Sequence, residues 1–113
     1  MHAVSRISRT LTVVFCLLPA AFLVSCCDNA GLPSAISDLD SSDAAVRNKA
    51  ALSLARCGAS ADRAVFKLQK LLYDDNVGVQ SSAAYALRKI DTPRARQVLQ
   101  AAIDAREKRK SRR

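Results

Sequence analysis

Tryptophan is absent from this sequence and histidine occurs once, as His2. With no histidine after the second residue, a Ser/His or Cys/His nucleophilic pair and an imidazole-ligated zinc site lose their chemistry. Cys-x-x-Cys does not occur either. Glycine appears only three times, and never in the clustered pattern that cradles phosphate. Aromatics make up 4% of the chain, and from Pro33 onward β-branched runs are missing and no window shows the alternation of a half-buried strand. These absences point away from an enzyme, a metal protein or a cofactor-binding protein, and from β structure.

What is present begins with a leader. Arg6 and Arg9 form a basic start, and an uncharged stretch follows from Thr10 to Cys27. Its apolar part, Leu11 to Val24, falls short of the roughly 20 residues that a membrane-spanning helix wants, and Pro19 interrupts it. A basic start, a short apolar centre and a small residue before a break are the parts of a secretory signal. Leu23-Val24-Ser25-Cys26 resembles the lipobox of bacterial lipoproteins. That resemblance implies a diacylglyceryl group on the Cys26 thiol, cleavage before Cys26, and a lipid-anchored protein in the bacterial cell envelope. The competing reading is an ordinary cleaved signal or an uncleaved anchor in which Cys26 is incidental. Cys16 lies inside the apolar run behind Phe15 and does not fit. Of the other cysteines, Cys27 sits at the start of a short tether. Cys57 falls on an apolar helix face, where a small buried hydrophobe is expected.

From Pro33 onward the pattern is helical, punctuated at Pro33, Ser42-Asp43, Gly58-Ala59-Ser60, Asp74-Asp75-Asn76 and Asp91-Thr92-Pro93. Thr92 before Pro93 is a helix start, a capping side chain followed by proline in the first turn. Residues 46–57 and 79–90 coincide at valine, two alanines and a leucine with an offset of 33, and Arg56 matches Lys89. The following helices align at 31, placing Ala64, Leu68, Leu71 and Leu72 on Ala95, Leu99, Ala102 and Ile103. A fixed period in the range of about 20–50 residues signals stacked helical units.

Asp43, Val46, Arg47, Ala50, Ala51, Leu54, Arg56 and Gly58 resemble the short, alanine-rich HEAT repeats also found in phycobilisome lyase subunits. The second copy departs at Gln80 and Arg88. The resemblance implies an all-α fold: a short α-solenoid of about two helical hairpins plus a truncated first helix. The divisions expected are a signal over 1–25, a lipidated tether over 26–32, a repeat module over 33–105 and a basic tail over 106–113.

At 100° per residue, Ala64, Val65, Leu68, Leu71 and Leu72 of the helix expected over Ala61–Tyr73 share one face. Arg63, Phe66, Lys70 and Tyr73 fall opposite, with Arg94 and Gln97 at matching places on the last helix. Inner helices of such solenoids line a concave face, so these six residues are the candidate partner-binding patch. The competing reading packs Phe66 against the truncated first helix. Leu52 and Tyr85 are expected to cover each other across the repeat boundary.

The tail carries Lys108, Arg109, Lys110, Arg112 and Arg113, candidates for an anionic surface. Beyond the leader, 16 cations face 10 anions, which favours an acidic protein partner. The function expected is a membrane-anchored scaffold or adaptor, with no enzyme activity, cofactor or metal. Two repeats make a thin core, so self-association is a further expectation. The alternatives are a subunit of a lyase-like enzyme, or an inner-membrane-anchored binder of nucleic acid or anionic lipid. Export would disfavour nucleic acid.

Overall fold

Asp43, Asn76 and Thr92 each start a helix, and they do so by one device. The Asp43 carboxylate accepts the Ala45 N–H at 2.9 Å, the Asn76 amide oxygen accepts from Val79 at 3.1 Å, and the Thr92 hydroxyl accepts from Ala95 at 3.2 Å. Each bond satisfies a donor that the first helical turn leaves unpaired. The computed structural model describes Cys27 and residues 31–113; the leader, Cys26 and residues 28–30 lie outside the described residues.

Five α-helices follow: α1 (Gly31–Asp38), α2 (Ala44–Cys57), α3 (Val65–Leu71), α4 (Val77–Ile90) and α5 (Pro93–Ser111). A 3-10 segment, Gly58–Ala64, leads into α3. Among the described residues there are no strands. The architecture is a short all-α solenoid: α1 is a partial first unit, α2 with α3 makes one hairpin, and α4 with α5 makes the next.

The two outer helices, α2 and α4, run parallel and form the principal interface. Near their starts the Ser82 hydroxyl donates to the Asn48 side-chain oxygen. Near their ends the Gly58 Cα faces the Lys89 carbonyl, which a Cβ there would meet at 3.8 Å. Paired alanines make this close stacking possible, since Ala50, Ala51 and Ala83 are buried and occupy little depth. Larger side chains fill the space between the outer and inner layers: Leu39, Leu54, Val65, Leu68, Val79, Leu87 and Ile90 are all essentially inaccessible. Each stabilises the fold by roughly 1.5–3 kcal/mol through removal from water.

Burial thins towards the last helix. Ala95 is fully buried, Leu99 and Ala102 only half, and Ile103 is 43% exposed. The residues that match them one repeat earlier, Leu68, Leu71 and Leu72, are buried because another hairpin stacks over them. Nothing among the described residues stacks over α5.

Two expectations change. The segment 61–73 is not one α-helix: it is 3-10 through Ala64, with non-helical angles at Ala61, and α-helical from Val65 to Leu71. Gly58-Ala59-Ser60 supplies no side-chain cap and adds two residues to the turn, so the chain tightens before the helix proper starts. Nor is Cys57 a small packed thiol. It is joined to Cys27 by a disulfide, with Cα atoms 5.4 Å apart. Topology explains this. Gly31 and Cys57 line one end of the groove between α1 and α2, while Asp38 and Val46 both line it as well. Helix α1 therefore runs back along α2 from the Cys57 end, and Cys27, four residues before Gly31, is already beside Cys57.

Candidate functional site

Heptad-like spacing on α3 divides its surface cleanly. Val65, Leu68 and Leu71 face inward and are buried, while Arg63, Phe66, Lys70 and Tyr73 are exposed. Phe66 is 61% exposed and Tyr73 53%, high values for aromatic rings in a chain that has so few. On the α1 side the contact the structure shows is made by Lys67, the residue after Phe66. Its ammonium lies 3.4 Å from the Ile36 carbonyl and pairs with Asp40.

Both rings meet cations from α5. The Arg94 guanidinium sits over Phe66 at 5.3 Å from the ring centre, and Arg109 sits over Tyr73 at 6.0 Å. Arg94 is positioned by a second contact, an ion pair with Asp62 at 3.3 Å. Asp62 in turn accepts the Thr92 hydroxyl at 2.5 Å. The cap of α5, the 3-10 turn and the aromatic ring are thus one connected unit. Gln97 is exposed on the following turn of α5, and Arg63 and Lys70 are exposed on the α3 side.

The result is a face built by α3 and α5, with two ring–guanidinium stacks about as far apart as two helical turns of α3. Chemically it offers apolar area, π-faces and several cations, a combination that suits an acidic surface with its own apolar residues. Sequence reasoning placed Arg63, Phe66, Lys70, Tyr73, Arg94 and Gln97 on it, but treated Arg109 as part of a separate tail. Helix α5 runs on to Ser111, so Arg109 stays in register with Tyr73. Lys108, Lys110, Arg112 and Arg113 are exposed around it.

A second electrostatic feature escaped the sequence. Arg47 grips Asp74 through two bonds of 2.9 Å and also donates to the Ser41 and Ser42 carbonyls at 2.8 and 3.0 Å. The bond from Arg47, together with the Asn76 N–H, holds the Asp74 carboxyl below its ordinary range. The same bond raises Arg47 above its own. This is a clasp between the turns of successive units rather than a reactive pair. Its signal was present as the Arg of one repeat and the acidic turn of the next, 27 residues on.

Leu52 and Tyr85, both exposed, line one shallow groove between α2 and α4 together with Ala55, Arg56 and Lys89. Among the described residues, no group of three or more His, Cys, Asp or Glu is placed to hold a metal ion. No helix among them is long and apolar enough to cross a membrane.

Neither a curated protein nor a solved structure matches this chain. A family model described as HEAT repeats matches residues 32–113. That span takes in α2 to α5 whole and all of α1 but its first residue. The chain belongs to the HEAT-repeat family.

Proposed function

We propose that the protein is a lipid-anchored interaction module of the bacterial cell envelope, a scaffold or adaptor without catalytic activity. HEAT repeats commonly serve as protein-interaction scaffolds. The observation that carries the reading here is the α3–α5 face, where Phe66 and Tyr73 stay exposed under Arg94 and Arg109. Exposed rings held in place by guanidinium groups lose little freedom on docking, the property of residues that dominate binding energy. The partner that fits is an acidic protein surface with apolar residues at its centre.

Attachment rests on Leu23-Val24-Ser25-Cys26. The Cys27–Cys57 disulfide supports an exported location, because such bonds persist in oxidising compartments and are rare where thiols are kept reduced. Export also takes the module away from nucleic acid and leaves the basic tail to an acidic protein.

Two arms test the reading in living cells. Cys26→Ser abolishes metabolic lipid labelling; persistent labelling overturns the anchor. Photo-crosslinkers at positions 70 and 97 capture one protein. Phe66→Ala and Arg94→Ala lose that crosslink while changing stability by less than about 1 kcal/mol, the scale of an exposed cation–π contact. An unchanged crosslink with a lowered melting temperature overturns the interaction face.

A further inference from the structure

The solenoid has two unlike ends. One is made by the closing turns of the outer helices, residues 55–63 and 88–96. It carries six cations and only two carboxylates, Asp62 and Asp91. Both carboxylates are already taken, by Arg94 and Arg96. Among the described residues no carboxylate pairs with Arg56, Arg63, Arg88 or Lys89, and all four are exposed. The other end, residues 38–47 and 71–80, carries five carboxylates and a single guanidinium, Arg47, which is bound to Asp74. The cationic end of α5 also reaches these turns, with Arg106 on Gln80 and Arg109 over Tyr73, so cations gather at both ends, about 20 Å apart, the length of the 14-residue α4.

The disulfide selects between these ends. It joins Cys27 to the last residue of α2, inside the cationic end. Cys26 is the preceding residue in the chain, and one peptide unit spans only about 3.8 Å. A tether of about six residues would let the module tumble beneath its anchor; a tether closed by this bond does not. The basic tail cannot substitute. Arg106 donates to Gln80 in the first turns of α4, and Arg109 lies over Tyr73, so α5 carries the tail to the far end, away from Cys57.

We propose that the end bearing Arg56, Arg63, Arg88 and Lys89 is a membrane-facing surface that rests on anionic lipid headgroups, held there by the Cys27–Cys57 disulfide. The proposal rests on the lipid anchor at Cys26. Its ligand is the phosphate of an anionic phospholipid, met by cations that no carboxylate among the described residues pairs, with Lys89 also lying over the Tyr85 ring at 5.6 Å. The α3–α5 face then runs perpendicular to the bilayer, and the tail points outward towards a partner.

The full-length lipidated protein, disulfide intact, is bound to vesicles of three parts phosphatidylcholine to one part phosphatidylglycerol and acetylated with an amine-reactive reagent. The same digest reports the acyl mass on Cys26 and the labelling rate of each lysine. Relative to detergent micelles, Lys89 slows about fivefold, the equivalent of one cation's attraction to an anionic surface, and Lys108 and Lys110 keep their rates. A chain with Arg56→Glu, Arg63→Glu and Arg88→Glu loses the protection of Lys89. Unprotected Lys89 in an acylated chain overturns the orientation and leaves the anchor standing. Protection of Lys108 and Lys110 instead shows the module the other way up and overturns it too. Equal protection of Lys89 on phosphatidylcholine alone overturns the anionic ligand. A missing acyl mass on Cys26 overturns both readings.

Discussion

Arg47 and Asp74 show how one residue pair can tie a repeat to its successor. Asp74 ionises below its ordinary range in the folded chain, so the clasp contributes stability that is fully present above the unfolded carboxyl value of about 3.9. That contribution is lost as pH falls through the lowered folded value. The melting temperature therefore drops as pH is taken below about 4, and Arg47→Met, which breaks the clasp, removes part of that dependence. An identical acid profile in Arg47→Met overturns the assignment. The sequence showed Asp74 and Asp75 as turn-capping acids, and Asp74 does accept the Asn76 N–H at 2.9 Å. Its partner was hidden because the 26 residues between them are closed only by the hairpin. Gln80, the departure from the repeat pattern, has its reason here as well. It stands one repeat after Arg47, accepts from Arg106 at 3.2 Å, and donates to the Asp74 carbonyl. An arginine there would face Arg106 with no acidic turn beyond it.

Among the elements, the turns were the harder part to read. Helix starts at Asp43, Asn76 and Thr92 follow from single side chains and were legible directly. The two hairpin turns look like variants of each other in sequence, yet they reverse the chain by different means. Asp91 closes the second turn in the left-handed region, at φ 50°, and α5 starts at once. Gly58 closes the first at φ 56° and ψ −137°, a combination open essentially to glycine, and a 3-10 segment follows. A Cβ at Gly58 meets only the Lys89 carbonyl at an ordinary 3.8 Å, so the cost of adding one is torsional. Gly58→Ala lowers unfolding free energy by about 1–3 kcal/mol in a denaturant titration, with an unchanged slope. A neutral result shows that the turn tolerates a different path. The face of α3 was legible because its buried row repeats every three to four residues. The exposure of Ile103 was not, since its equivalent Leu72 is buried only by the next unit.

For the whole molecule, two hairpins and part of a third leave little core to spare, and the disulfide supplies what stacking does not. It closes a loop of about 30 residues, which restricts the unfolded chain by about 3–4 kcal/mol. Reduction lowers the melting temperature markedly in the unchanged chain and leaves a Cys57→Ser variant unaffected; equal melts with and without reductant show the bond to be dispensable. The solenoid itself was legible from the 33-residue offset. The pairing of Cys27 was not, because it depends on α1 running back along α2, a matter of topology rather than pattern.

The bond at Cys27 also bears on the order in which the protein matures. Cys26 and Cys27 are adjacent thiols, and either could compete for Cys57 once the chain meets an oxidant. The thioether proposed at Cys26 would consume one competitor. Lipid attachment before oxidation would thus leave a single possible pairing, whereas a chain oxidised first could lock its acylation site into the wrong bond. Acylation would then act as a proofreading step for the fold as well as a means of attachment.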